Sequence, residues 1–176
     1  VLISDEPYKA LVFDDVVPPE VPPLVTRSII ATSWSKALAI PGERIGYLAF
    51  SPRMAEAPEL FEACTFTGRV LGFVNAPALW QWVVAETGDL VIDVAPYREK
   101  RDLMYAGLTR IGYRCVKPQG AFYVFPATPI ADDVAFVRML AEEGVLTVPG
   151  SGFGMPGHIR ISLTVALSHP GEGISA

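Results

Sequence analysis

Three features of the sequence predict an α/β fold. Short apolar runs end in polar residues, as strands of a parallel sheet do where their ends build a site. Val1-Leu2-Ile3 ends at Ser4-Asp5, and Ser28-Ile29-Ile30-Ala31-Thr32 ends at Ser33-Trp34-Ser35-Lys36. Helical spacing and helix-stop residues then recur between Arg53 and Gly112. Beyond them, residues 121–164 read as a β-α-β-β unit. This order predicts the end of a large parallel or mixed-sheet domain over residues 1–95. A connecting helix and a small α/β domain, incomplete at its end, follow over residues 96–176.

The elements follow in order. Val1-Leu2-Ile3 reads as a short buried strand, and Glu6-Pro7 forces a turn after it. Tyr8 to Phe13 is a weaker apolar stretch. Asp14 to Pro23 holds Pro18, Pro19, Pro22 and Pro23 and reads as a surface loop. Pro41-Gly42 is a turn, and Ile45 to Phe50 a strand. Arg53 to Thr65 predicts a helix interrupted at Pro58. Asn75 is an N-cap candidate with Pro77 in the first turn and Gly88 just past the end. Asp93 caps the next helix, which carries Met104, Leu108 and Ile111 on one face and stops at Gly112. Ala121 to Phe125 reads as a strand. Asp132 to Glu143 places Val134, Val137 and Ala141 at helical spacing and stops at Gly144. Val145–Val148 and His158–Thr164 are the last strands. The tail Ser168-His169-Pro170-Gly171-Glu172-Gly173 cannot continue a helix.

Composition narrows the function. The 176 residues carry 14 Lys+Arg against 19 Asp+Glu, a net charge of −5. That balance argues against a nucleic-acid or anionic-membrane surface. No apolar run approaches the ~20 residues of a membrane span. With 51% hydrophobic and 19% charged residues the chain can bury a core. Cys64 and Cys115 are too few for a disulfide framework and read as small packed hydrophobes. With only His158 and His169 to add, no metal-ligand cluster is visible. Val1 opens inside an apolar run, which reads as a fragment of a longer chain.

The chemistry sits in four segments. The longest runs Ser33-Trp34-Ser35-Lys36-Ala37-Leu38-Ala39-Ile40-Pro41-Gly42-Glu43-Arg44-Ile45-Gly46-Tyr47. It resembles the cofactor-lysine signature of class I aminotransferases, which use pyridoxal 5'-phosphate. The hydroxyl three residues before the lysine and the arginine eight residues after it both match. Ser4-Asp5-Glu6-Pro7-Tyr8 resembles the family's aspartate-to-tyrosine motif. Pro118-Gln119-Gly120-Ala121-Phe122-Tyr123, and Val148 to Gly154 continuing to His158-Ile159-Arg160-Ile161-Ser162, resemble its small-domain motifs. The four occur in family order and span nearly the whole chain.

The resemblance implies a fold-type I architecture, here its C-terminal half, in a cytoplasmic homodimer. It implies transfer of an amino group between an L-amino acid and a 2-oxo acid. Lys36 would join the cofactor's aldehyde through its amine and later move a proton at the substrate α-carbon. Asp5 would face the pyridine nitrogen and favour its protonated form. Tyr8 would donate to the phenolic oxygen. Ser33 and Arg44 would hold the phosphate, with Ser35 assisting. Arg160 would grip the substrate α-carboxylate as a planar fork, and Phe122 would pack over the substrate side. Taken singly, these residues have plainer readings. Asp5 is a strand-end cap, Lys36 a solvated lysine, Tyr8 a packing aromatic and Ser33 a turn hydroxyl. Arg44 and Arg160 read as surface arginines, and Phe122 as core.

Other readings remain at this level. A carbon–sulfur β-lyase or a cyclopropane-forming synthase would share the same carbanion chemistry. An aminotransferase-like sensor domain of a transcription regulator would share the fold, and an inactive truncated product would share the sequence. Arg69 is the candidate second cation for a dicarboxylate substrate, or simply a solvated arginine at a helix start. Gly150-x-Gly152-x-Gly154 opens no helix, so a dinucleotide loop is excluded, and Gly150-Ser151-Gly152 lacks the hydrolase elbow.

Overall fold

A computed structural model describes residues 1–88, 90 and 92–164. The sequence reading of the tail at Ser168–Gly173, including His169, lies outside the described residues. The chain divides into two compact units, Val1–Ile92 and Asp93–Ala176.

The first unit is built on a three-stranded sheet in the order β1-β2-β3, with β1 Leu2–Asp5, β2 Ser28–Ser33 and β3 Gly46–Phe50. β1 and β2 run parallel, with Asp5 opposite Ala31. A parallel pair needs a crossover longer than a hairpin turn, and residues 6–27 make it. They include a single turn of helix, α1 (Val21–Leu24), inside the segment expected to be all loop. β3 returns antiparallel to β2 with Gly46 opposite Ser33, so the sheet is mixed. Between them lie α2 (Trp34–Ala37) and a 3-10 turn at Pro41–Glu43.

Helices α3 (Ala57–Val70) and α4 (Ala78–Thr87) complete this unit. Pro58 does not interrupt α3, because it sits in the first turn, where its missing N–H costs nothing. Arg69 accordingly lies in the last turn of α3 and not at a helix start. Asn75 is not the cap of α4; Pro77 occupies that position, and Gly88 ends the helix as expected. The core gathers Leu11, Phe13, Ile29, Ile45 and Met54. The apolar opening of β1 is not buried: Val1, Leu2 and Ile3 are 60%, 45% and 65% exposed.

The second unit opens with α5 (Ala95–Arg110). Val94, not Asp93, takes its N-cap position, but Asp93 Oδ1 one residue earlier accepts the Ala95 N–H at 2.9 Å and satisfies one of the helix's open donors. Three strands then form an antiparallel sheet in the order β4-β6-β5: β4 Tyr123–Val124, β5 Val148–Pro149 and β6 Ile159–Ser162. α6 (Asp133–Glu142) lies between β4 and β5, and a 3-10 turn at Gly150–Phe153 follows β5. All three strands are shorter than their apolar runs. Ala121 has φ +58°, which breaks extended backbone before β4. Val145 is used to close α6. Its N–H donates to Leu140 O at 2.8 Å while Gly144, at φ +78°, donates to Ala141 O.

The core of this unit contains Leu108, Phe122, Val124, Phe136, Ile159 and Leu163. On α6 the buried residues are Asp133 and Phe136, while Val134 is exposed, so the buried stripe is displaced from the expected one. On α5 Leu108 is buried but Ile111 is exposed. Arg101 is fully buried on α5, and its Nη1 donates to Pro118 O at 2.7 Å. Asp102 bridges Arg101 Nε at 2.9 Å and Lys117 Nζ at 2.8 Å. The Lys117 ammonium, with Arg101 beside it, holds the Asp102 carboxyl below its ordinary pKa against the opposing effect of burial. These contacts tie the 117–118 segment to α5. Both cysteines are free and half-buried, and burial pushes the Cys115 thiol up.

Asp132 Oδ1 accepts the Ala135 N–H at 2.9 Å as the N-cap of α6. Asp132→Ala is expected to cost about 1 kcal/mol of stability, read as a lower urea midpoint with unchanged slope.

Candidate active site

Strand alternation puts Asp5, Ala31 and Ser33 on one face of the first sheet, because Asp5 pairs with Ala31 and Ser33 follows two residues later. A cavity of ≈ 670 Å³ opens there, lined by Asp5, Ser33, Tyr47, Leu48, Cys64 and Thr65. Asp5 is the last residue of β1, so its carboxylate stands at the strand end, exposed. Ser33 occupies the N-cap position of α2, yet its hydroxyl makes no cap bond.

The chain beyond Asp5 is fixed by backbone and ion pairs. The Glu6 N–H donates to Ala31 O at 2.8 Å, and Thr32 Oγ1 donates to Glu6 O at 3.2 Å. Lys9 bridges Glu6 at 3.0 Å and Glu20 at 2.9 Å. Burial opposes the Lys9 charge, but the two carboxylates outweigh it and hold its pKa above the ordinary value. This turn carries Tyr8. The Lys36 ammonium, on α2, lies 5.7 Å from the centre of the Tyr8 ring. Ala37 O accepts the Ile92 N–H at 2.9 Å, which anchors the end of α2.

Ser35 rides on α2, half-buried. Arg44 has φ +52° and ψ +44°, unusual for a residue with a side chain, and its Nη1 donates to Pro41 O at 2.9 Å. The structure therefore brings Lys36 to Tyr8, and Asp5 with Ser33 to one cavity. Lys36, Tyr8, Ser35 and Arg44 do not line that cavity, and Arg44 engages its own turn.

In the second unit Arg160 lies on β6 with Val148 opposite. Its neighbours Ile159 and Val124 point into the core, so Arg160 and Tyr123 share the opposite face. The Arg160 guanidinium stands 3.9 Å from the Phe153 ring centre and 4.5 Å from that of Tyr123. Phe122 is buried, with its ring centre 6.0 Å from Tyr97 and 4.7 Å from Tyr123. Its position is that of a packing residue of this unit. Asp133 accepts the Ser151 N–H at 2.6 Å, and this bond holds its carboxyl below the ordinary carboxylate pKa, against the opposing effect of burial.

Several residues here had no role in the sequence reading. Cys64 and Thr65 line the cavity from α3, and nothing local in the sequence announces that. Gly46 does carry a signal, since glycine inside a strand often marks a close backbone approach. A Cβ at Gly46 would lie 2.4 Å from Thr32 O and 2.9 Å from Ser33 Cβ. Gly46→Ala is therefore expected to cost about 1–3 kcal/mol of stability and to displace Ser33. The unfolding midpoint reads the first effect, and the affinity for an added phosphate ester reads the second.

Comparison with known proteins gives concordant results. The family model for aminotransferase class I and II matches residues 1–170. An aspartate/prephenate aminotransferase of Thermus thermophilus is 36% identical over 92% of this chain, which covers 43% of that protein. An aspartate aminotransferase of Thermotoga maritima is 31% identical over 98% of this chain and 45% of its own length. The crystal structure of an aminotransferase from Eubacterium rectale superposes with TM-score 0.89 at 43% identity, over 93% of this chain and 41% of that one. The chain thus spans less than half the length of these relatives.

Proposed function

The chain belongs to the class I and II aminotransferase family, and from that membership we propose that it serves a pyridoxal-phosphate-dependent amino-group transfer between an L-amino acid and a 2-oxo acid. The observation that carries the reading is a double juxtaposition in the first unit, Asp5 with Ser33 on one cavity and Lys36 with Tyr8 beyond the ends of β1 and β2. The donor set fits the cofactor group by group. It offers an amine for an aldehyde, a carboxylate for a protonated ring nitrogen, a phenol for a phenolic oxygen, and hydroxyls and a guanidinium for a phosphate. The close strand approach at Gly46, where a Cβ would collide with Thr32 O and Ser33 Cβ, holds the backbone beside Ser33.

Pyridoxal phosphate, when bound, supplies a conjugated electron sink for negative charge at the substrate α-carbon. The chain's own residues do the rest. Lys36 Nζ would hold the cofactor through its aldehyde, and once freed by the incoming amino acid its amine would be placed to move a proton at the substrate α-carbon. Asp5 would favour a proton on the ring nitrogen, because a carboxylate there favours the charged form. Tyr8, which borders the Lys36 ammonium, would donate its hydroxyl toward the phenolic oxygen. Ser33, assisted by Ser35, and Arg44 would bind the phosphate, for which the Arg44 guanidinium, now bonded to Pro41 O, would have to turn away from its own turn. Arg160 binds the α-carboxylate, and Phe122 supports that face from the core. The working protein is a homodimer. The names of the relatives make L-aspartate the first amino donor to assay.

The test is to incubate the pyridoxal-phosphate-loaded protein with L-amino acids and a 2-oxo acid acceptor, and to follow both products by chromatography. Matched formation of a new 2-oxo acid and a new amino acid, abolished in Lys36→Ala, is the expected outcome. Ammonia and pyruvate released without an acceptor would replace the transferase reading by a lyase.

A further inference from the structure

Arg160 is held in an unusual way for a surface arginine. Its guanidinium lies over two rings, 3.9 Å from the centre of Phe153 and 4.5 Å from that of Tyr123. Among the described residues no carboxylate forms an ion pair with it. Two aromatic contacts restrict the fork while no ion pair among the described residues neutralises it. Such a fork is oriented before an anion arrives, so less rotamer freedom is lost on binding.

The two rings are held by different means. Tyr123 belongs to β4 and faces Ser162 of β6, so the sheet itself fixes it. Phe153 lies on no strand. It ends the 3-10 turn Gly150–Phe153, and its ring stands edge-on to Phe125 at 6.0 Å. That turn is pinned at two points. At its start, Gly150 N–H donates to His158 O at 2.8 Å, and a Cβ at Gly150 would lie 2.3 Å from Met155 O. One residue on, Ser151 N–H donates to Asp133 Oδ2 at 2.6 Å. Asp133 is buried at the first position of α6, so its carboxylate has little freedom to follow a moving turn.

We infer that Asp133 is a positioning residue for Arg160: by clamping Ser151 it holds Phe153 over the guanidinium, and so sets how tightly the fork takes a substrate carboxylate. The consequence for substrate rests on the carboxylate-binding role proposed for Arg160; the clamp itself does not. It assigns to α6, which contributes no side chain to the reaction, a function in substrate affinity.

The arginine side-chain Nε–Hε signals in proton–nitrogen NMR spectra of the 176-residue chain test this without any catalytic assay. Ring currents displace the Arg160 signal from the exposed-arginine position, and Arg160→Lys identifies it by its loss. Asp133→Ala should return the signal to the exposed position, Asp133→Asn should restore much of the displacement, and Phe153→Leu should abolish it. Titration with 2-oxoglutarate should move the wild-type signal, with a dissociation constant about tenfold higher in Asp133→Ala. An Arg160 signal and 2-oxoglutarate affinity unchanged in Asp133→Ala would overturn the inference. If that variant fails to fold, as its backbone amide signals would show, an unchanged Arg160 signal in Phe153→Leu overturns it instead. A displaced signal that collapses in Asp133→Ala but ignores 2-oxoglutarate in the wild type would uphold the clamp and reject the carboxylate role.

Discussion

The register of β2 against its two neighbours is the constraint on which the candidate site depends. Pairing Asp5 with Ala31 on one side and Ser33 with Gly46 on the other fixes both residues to one face. A slip of one residue would turn Ser33 to the opposite face and separate it from Asp5. Two local devices lock the register. Glu6 extends the parallel ladder by one bond to Ala31 O, and Gly46 admits a backbone approach that no other residue allows. The turn that carries Tyr8 and the short helix that carries Lys36 both start where this ladder ends. Strand pairing thus brings the two side chains to within reach of each other.

The second unit solves a different problem with the same economy of backbone. Its sheet is small, its strands are short, and much of its order comes from side chains bonded to backbone. Arg101 holds Pro118 O, Asp132 caps α6, and Asp133 holds the Ser151 N–H. Each of these bonds joins a helix residue or cap to backbone, and the turn held by Asp133 carries Phe153, while Tyr123 lies on β4. Arg160 projects from the strand between them. Its guanidinium lies against both rings, and among the described residues no carboxylate forms an ion pair with it.

Much of this was legible in the sequence. The motif around Lys36, the strand ends at Asp5 and Ser33, the helix stops at Gly112 and Gly144, and Asp93 and Asp132 at helix starts all carry local chemical signals. What the sequence did not reveal is non-local. Pro58 and Pro77 looked like an interruption and a first-turn residue, but a proline's role depends on where the first backbone bond closes. The apolar runs at Val145 and Ala121 suggested longer strands. Val145 closes a helix instead, and the left-handed backbone of Ala121 ends extended structure early. Buriedness was also misjudged at Val1-Leu2-Ile3, since an apolar run shows what a residue tolerates and not what packs on it. The contribution of Cys64 and Thr65 to the cavity, and the bond from Ser151 N–H to Asp133, arise from tertiary contacts that no local pattern encodes.

The central claim is that the first unit gathers a cofactor site around Lys36. The most direct measurement is borohydride reduction of the purified chain in the presence of pyridoxal phosphate, followed by peptide mapping, because reduction fixes the cofactor where its aldehyde has joined an amine. The account predicts label confined to Lys36 and lost in Lys36→Ala. Label scattered over the exposed lysines, with none favoured, would contradict it.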